Sequence, residues 1–487
     1  MTQSSFDLAA SATEEMIRGG FPLGSDPDRD QQISDLRSAR TTPEGAGVQD
    51  LRGLPWSSID NDTSRDLDQA EVAERGQGGT RVRVAIADVA ALLVKDSPLD
   101  RFAAEQTQTV YTAVRNFSML PVELSTDLTS LNEGQERRAV VTEFTVSAEG
   151  AVGGTAIYEG LVRNAAQLAY NAVGPWIEGK SGGDAKVSAS PELQEQLRVQ
   201  AEAAKALHRK RMAEGALDFT RVEADPRVVD GQVQSVGVAH RNAATELIEE
   251  FMIAANEVMA RTLLAAKRSC LRRVVRSPER WPRMVEVARR YGVELPEQPD
   301  SAALNAFLQK QRAADADRYP ELALSMIKLM GPGQYVLSRA DDAEQEGHFG
   351  LAARDYAHST APNRRYPDLV TQRIVKAMLG KQPPPYGDAE LEAIAAHCNE
   401  RESAARKVER AMEKRAAAMA MSGRVGSVFA GLVTGASGKG TYVRVFKPPV
   451  EGRIVEGEKG LDVGDRVQVE LLRTDPGRAY IDFKRAG

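Results

Sequence analysis

The sequence predicts an α+β protein: a large mixed domain with a central β-sheet and surrounding helices, followed by a small closed barrel of five strands. Three observations carry this expectation. Strand-like patterning dominates from about Thr80 to Val152, long amphipathic helical runs dominate from Pro191 onward, and the last 65 residues break into five short β-like runs. At 487 residues the chain is long for a single core, so one large domain plus one or two small ones is expected. The boundaries are read as a short helix and linker over 1–47, the large domain over 48–422 and the barrel over 423–487.

Taken in order, residues Ser5 to Arg18 predict one short helix. The polar, Gly-, Pro- and Asp-rich run from Pro22 to Val48 predicts a linker or poorly ordered segment. TRVRVAIADVAAL (Thr80 to Leu92) and RRAVVTEFTVSAEGAV (Arg137 to Val152) read as strands, the second with a turn at Glu149-Gly150. LQEQLRVQAEAAKALHRKRMAE is a long amphipathic helix, and the next places Leu247, Phe251, Ala255, Val258 and Thr262 on one stripe. A further helix opens at Pro367-Asp368, carries Val370, Ile374 and Met378 on one side and stops at Gly380. GRVGSVFAGLVTG, TYVRVFKP, VEGRIV, DRVQVELLRT and AYIDFKR then supply the five barrel runs, a count that fits the oligonucleotide-binding type of barrel. The sequence contains no internal repeat.

Composition is globular, with 42% hydrophobic and 27% charged residues. No stretch approaches the ~18–20 apolar residues of a membrane helix. The start lacks the basic and apolar regions of a secretory signal. Cys270 and Cys398, both in helix-like contexts, have neither metal nor disulfide spacing. A cytoplasmic protein is expected. The net charge of −6 argues against affinity gained by blanketing a nucleic-acid duplex with basic side chains, but leaves room for a local basic channel.

The densest chemistry lies in SSIDNDTSRDLDQAEVAE, where Asp60, Asp62, Asp66 and Asp68 fall within nine residues. Asp66 and Asp68 share a face of an extended chain, and Asp60 can fold back over the polar loop. Hard oxygen ligands in this number suit Mg²⁺, or Mn²⁺ in its place; an Asp-rich surface turn is the alternative. In TAPNRRYPD, Pro362 and Pro367 stiffen a loop at a helix start. An arginine held there can stabilise charge developing on a phosphate, or can simply cap or pair near the helix.

From about Asp50 to Arg410 the chain resembles the catalytic (RNB-type) domain of the ribonuclease II/ribonuclease R family of 3′-to-5′ exoribonucleases. S-I-D-x5-D-L-D-Q-A resembles the family's T-I-D-x5-D-x-D-D-A. It is followed in order by VAIADVAALLVKDSPLD, MLPVELSTDLTSL, GALDF, IEEFMIAANE and HFGLAARDYAHSTAPNRRYPDLVTQR. Six motifs in sequence across some 360 residues make the resemblance specific. It implies metal ligation by Asp60, Asp66 and Asp68, with Asp68 also catalytic. Gln69 stands where the family has a further aspartate; its amide oxygen can ligate but brings no charge.

The same resemblance makes Arg364 the catalytic arginine and Arg365 a structural or RNA-backbone residue. It implies that Tyr111 and Phe219 stack on terminal bases, both having the alternative of core aromatics. Glu249 and Glu409 match glutamates that contact terminal nucleotides and their 2′-hydroxyls; for Glu409 a solvated helix surface is the alternative. His348 and His358 fall inside motifs and receive no chemistry.

The C-terminal run V-G-D-R-V-Q-V-E…I-D-F resembles an S1-like RNA-binding domain. It carries 11 Lys and Arg against 8 Asp and Glu, leaving −9 for residues 1–422. Tyr442, Phe446 and Lys447, with Lys439 and Phe429 nearby, are its candidate RNA-facing residues, Phe429 being the most core-like. Family members usually carry two cold-shock barrels ahead of the catalytic domain, and about 47 residues are too few for even one. The resemblance therefore implies a metal-dependent hydrolytic exoribonuclease acting on single-stranded RNA, releasing 5′-mononucleotides in RNA decay or 3′-end trimming. The alternative is a catalytically weak RNA-binding regulator that keeps the channel.

Overall fold

The computed structural model describes residues 6–39, 47–180, 184–219, 224–229, 232–238, 241–315, 318–341, 347–438 and 440–486, the side chains of 224–229, 232–238 and 437 excepted. Asp7 and Asp26 each open a helix by accepting free backbone N–H groups of the first turn. Helix α1 (Leu8–Arg18) buries Leu8, Ala12 and Met16 with Phe21 against Val110, Phe117, Val408 and Met412. Helix α2 (Pro27–Ser38) corrects the linker reading of Pro22 to Val48. Asp26 at the cap and Pro27 in the first turn are a start signal that the polar composition masked. The helix lies on the surface, with Ile33 and Leu36 packed inward and Arg29 4.1 Å above the Phe102 ring.

The central sheet is built from β1 (Gln49–Asp50), β2 (Ser57–Asp60), β3 (Gln69–Gly76), β4 (Gly79–Ala87) and three later strands. Between them, helix α3 (Pro98–Gln106) precedes a two-residue hairpin, β5 (Val110–Tyr111) and β6 (Asn116–Phe117). Then β7 (Glu136–Val146), β8 (Val152–Arg163) and β9 (Ala166–Ala169) complete the order β1-β8-β7-β4-β3-β2-β9. Alternation sorts the two faces: Ala73, Val82, Val84 and Ile86 meet the helices, whereas Ala70, Val72, Ala85 and Ala87 meet Trp56, Leu67 and Val141. The expected turn at Glu149-Gly150 is present, and Gly150 is required there. Its φ is +83°, and a Cβ would lie 2.1 Å from the Ala206 carbonyl oxygen.

Helix α4 (Tyr170–Ile177), α5 (Ala185–Ala189), α6 (Pro191–Ala213) and α7 (Ala243–Ala265) cover the first face. Four members of the stripe on α7, Leu247, Phe251, Ala255 and Val258, are buried, and Thr262 lies at its margin. The helical half also contains strands that periodicity did not reveal. These are the hairpin β10 (Ala224–Val229) and β11 (Gln232–Val238), and the antiparallel pair β12 (Cys270–Val274) and β13 (Gln334–Ser338). Cys270 therefore opens a strand and does not lie on a helix; both thiols are buried and free. Helices α8 (Trp281–Arg290), α9 (Ser301–Ala314) and α10 (Tyr319–Met330) enclose a separate core around Trp281, Met284, Phe307 and Met326.

Helix α11 (Tyr366–Leu379) matches the expected start and its stop at Gly380. Helix α12 (Asp388–Met421) has 34 residues, about 50 Å of rise, and joins the large domain to the barrel. The barrel closes as β14 (Val428–Ser437), β15 (Gly440–Phe446), β16 (Pro449–Glu456), β18 (Tyr480–Arg485) and β17 (Arg466–Asp475), with β17 pairing back to β14. Its core, including Val443, Val445, Val469 and Phe483, is sealed by Ala418 and Met421 of α12. Among the described residues no helix is long and apolar enough to cross a membrane.

Candidate active site

The acidic motif straddles the end of β2, a loop and the start of β3. Asp60, the last residue of β2, accepts hydrogen bonds from the Asn61 amide at 2.7 Å and the Ser64 hydroxyl at 2.9 Å. Asp68 is only 3% exposed. Its Oδ1 accepts the Asn363 backbone N–H at 3.0 Å; Oδ2 has no hydrogen-bond partner and lies 3.6 Å from Arg364 Nε. Burial pushes Asp68 up to about 7 against the opposing pull of Arg364, with Asp66 adding repulsion. Asp66 is raised by burial too, and both Arg364 and Asp60 act on it. Asp60, Asp66, Asp68 and Arg364 therefore share one electrostatic field. Asp62 is set apart, exposed and beside Asn171.

Gln69 is buried at the first position of β3, and its amide nitrogen donates to the Ile59 carbonyl at 3.3 Å. That bond turns it toward the strand of Asp60. Among the described residues no three His, Cys, Asp or Glu side chains converge to hold an ion. Mg²⁺ does not require such a cage, since it is commonly held by one or two carboxylates together with water and phosphate oxygens. The unpartnered Oδ2 of Asp68 fits a ligand of that kind.

The arginine loop is fastened to its neighbours through the main chain. Arg364 N–H donates to Ala361 O at 3.2 Å, and the Arg364 carbonyl accepts the Thr109 amide at 3.0 Å. The Arg364 guanidinium is left 43% exposed. Arg365 points elsewhere: it binds Asp368 Oδ1 at 2.7 Å, and Asp368 is fully buried. Of the two roles expected for Arg365, the structure favours the structural one. Asn363 was overlooked in the sequence, yet its amide clamps Asp68 while its side-chain oxygen accepts the Thr129 hydroxyl at 2.6 Å.

Tyr111, on the β5–β6 hairpin, is 43% exposed, and its backbone N–H donates to Glu409 Oε1 at 3.2 Å. Its phenol is pushed up to about 12 by desolvation and the carboxylates Asp66, Asp68 and Asp60, which outweigh Arg364. Glu409 is half-buried and raised by burial, so the solvated-surface alternative does not describe it. Tyr111 and Glu409 thus join the Asp and Arg364 group.

Phe219 and Glu249 are placed differently. Phe219 packs at the edge of the Trp281–Phe307 core, the core-aromatic alternative. Glu249 is raised by burial but engaged by Arg241 at 2.7 Å and Arg211 at 3.6 Å. His358 is half-buried beside Tyr335, whose hydroxyl lies 2.8 Å from its Nδ1.

On the barrel, Phe429 packs edge-to-face on Phe483 at 6.3 Å, as a core residue. Tyr442 is 36% exposed, Phe446 and Lys447 are exposed at the end of β15, and Lys439 lies outside the described residues. Tyr442 lines a cleft of about 740 Å³ between α1, α12 and the barrel. Lys407, Arg410 and Lys414 line it from α12, and Arg453 and Tyr480 from the barrel. The α12 cations recur at i, i+3 and i+7, a stripe legible in the sequence but not singled out.

Residues 48–381 match the RNB domain family, and residues 427–486 match the RNase II-type exonuclease C-terminal S1 domain. Ribonuclease R of Escherichia coli (strain K12) is 31% identical over 470 residues, which cover 93% of this chain and 56% of that protein. Ribonuclease R of Aquifex aeolicus (strain VF5) is 30% identical over 465 residues, 89% of this chain and 64% of that one. The chain thus spans less than two thirds of either relative. Mycoplasma genitalium RNase R, solved in complex with ribose methylated single-stranded RNA, superposes with a TM-score of 0.88 at 22% identity, covering 99% of this chain and 78% of that one. At that identity the likeness concerns the fold.

Proposed function

The chain belongs to the RNB-domain family, and from that premise we propose that it is a 3′-to-5′ exoribonuclease of single-stranded RNA releasing 5′-mononucleotides. The observation that carries the reading is the meeting of Asp68 and Arg364, with an unpartnered Asp68 oxygen, in the electrostatic field that also reaches the half-exposed Tyr111. The relatives named Ribonuclease R support the activity, and the structures of RNase R with RNA support the substrate class.

Asp68, with Asp60 and Asp66 in the same field, would hold Mg²⁺, or Mn²⁺ in its place, with water and phosphate oxygens completing the shell and the Gln69 amide oxygen as a neutral neighbour. When bound, such an ion would supply Lewis-acid neutralisation of phosphate charge and favour ionisation of water. Arg364 stabilises negative charge as it builds on the phosphate, from a loop that the Thr109 and Ala361 contacts keep in place. Tyr111 stacks on the terminal base, and Glu409 beside it accepts from a ribose 2′-hydroxyl, which favours RNA over DNA. The cations of α12 and the barrel, with Tyr442, conduct the strand toward Glu409 along one helix. The division into 1–47, 48–422 and 423–487 follows this scheme, with α1 as a buttress behind Tyr111 and α12. RNA turnover and two free thiols suit the cytoplasm.

The test is incubation of 5′-labelled single-stranded RNA with Mg²⁺, with Mn²⁺ and with chelator. Shortening from the 3′ end that requires metal supports the enzyme. Intact RNA that is still retarded on a gel supports the non-catalytic binder.

A further inference from the structure

Glu71 lies two residues beyond Gln69 on the same face of β3, opposite Ser57 of β2 and Val84 of β4. It is fully buried, and neither of its carboxylate oxygens has a hydrogen-bond partner. Asp60 is the charged neighbour that acts on it. Asp60 and Glu71 also act together, after burial, to raise the Tyr170 phenol, so the three groups border one region. The charge acting on Glu71 is of its own sign. A buried carboxylate in such a place is tolerated only if it is neutral or has a cation beside it.

Gln69 carries no charge, and its amide nitrogen is turned to the Ile59 carbonyl. A negative charge is available one step further along the same face, on Glu71. We infer that Glu71, together with Asp60, holds a divalent cation and supplies the negative charge that Gln69 lacks. A pair of carboxylates suffices for Mg²⁺ when water and phosphate oxygens complete the shell, so the absence of three converging acids among the described residues is no obstacle. The two unpartnered Glu71 oxygens are the hard donors such an ion takes. The inference rests on the metal-dependent reading above and names the side chain of this chain that completes the site.

The test is Mn²⁺ binding to the RNA-free full-length protein, with affinity and stoichiometry read by electron paramagnetic resonance. Glu71→Gln should weaken binding by roughly tenfold or more, or remove one ion. Thermal melting gives a second readout: Mn²⁺ should raise the wild-type melting temperature by more than the variant's. Should Glu71→Gln fail to fold, Glu71→Leu suits the buried position and serves in its place. The double variant Gln69→Asp/Glu71→Gln, which moves the carboxylate to position 69, should recover affinity. Wild-type Mn²⁺ binding by Glu71→Gln, or a double variant no tighter than Glu71→Gln alone, overturns the inference and makes Glu71 a neutral core carboxyl. If Asp68→Asn then still abolishes RNA hydrolysis, the reading of the enzyme stands and only the role of Glu71 falls. If Asp60→Asn and Asp68→Asn leave both Mn²⁺ binding and hydrolysis intact, the metal site itself falls.

Discussion

Replacing Arg364 with alanine separates transition-state stabilisation from ground-state grip. The loop will not move, because Arg364 is held through its own main chain, by Ala361 O at 3.2 Å and the Thr109 amide at 3.0 Å. The guanidinium is 43% exposed and 3.6 Å from Asp68 Oδ2, a solvent-screened pair worth less than about 1 kcal/mol. Stability and RNA affinity should therefore change by no more than roughly fivefold in their equilibrium constants. A donor aimed at developing phosphate charge is worth far more, about 2.7–4 kcal/mol, so turnover should fall by about 10²–10³-fold. Single-turnover decay of 5′-labelled RNA at saturating enzyme gives the chemical step, and filter binding with chelator gives the affinity. A variant that cleaves at the wild-type rate once saturated, and has lost only affinity, would refute the argument and make Arg364 a backbone contact. Arg365→Ala is the contrasting change. It strands the fully buried Asp368, so it should cost about 3–5 kcal/mol of folding stability, read by denaturant melts, and not act selectively on the chemical step.

Asp68→Asn keeps an oxygen for the Asn363 amide, so RNA should still shift on a gel while hydrolysis is lost; wild-type turnover would remove Asp68 from the site. Changing Lys407, Arg410 and Lys414 together to glutamine should flatten the salt dependence of long-RNA binding. If all three meet phosphates, the log–log slope falls by about 2, and an unchanged slope excludes the cleft from the RNA path. The hydrogen bond that His208 donates to the Glu250 carboxylate raises its pKa above the usual 6.5. That pair adds stability below pH 6.5 that is lost as pH rises through the raised value, so the melting temperature of the wild type should drop toward that of His208→Gln over that window. A constant difference between the two would show that the pair is not titrating.

The architecture was legible where a segment declares itself through its own period. Alternation in Arg137–Val152 marked a strand and its turn, and the stripe on Leu247–Val258 marked α7. Five short runs cut by Gly and Pro marked the barrel. Short elements were missed for the same reason. The strand at Cys270 is a five-residue run buried throughout, without alternation, and α2 has no fully buried residue, so its Asp-Pro start was outweighed by polar composition. Residue types and order also identified the acidic motif and the arginine loop. Their roles depended on resemblance, since an aspartate cluster and a loop arginine each have ordinary structural uses.

The tertiary structure decided which groups touch. Asp68 meets the Asn363 amide across 295 residues and Tyr111 meets Glu409 across 298, separations over which no local period carries information. Two adjacent arginines looked alike in sequence. The fold sends Arg365 inward to Asp368 and leaves Arg364 facing Asp68, because the backbone bonds at Ala361 and Thr109 fix the direction of each side chain. Glu71 shows the same limit. Its place beside Gln69 on an alternating strand could be read directly, but its isolation could not. Burial and the lack of a partner are properties of everything packed around a side chain, and for Glu71 they arise only when β2, β4 and the covering helices close over β3.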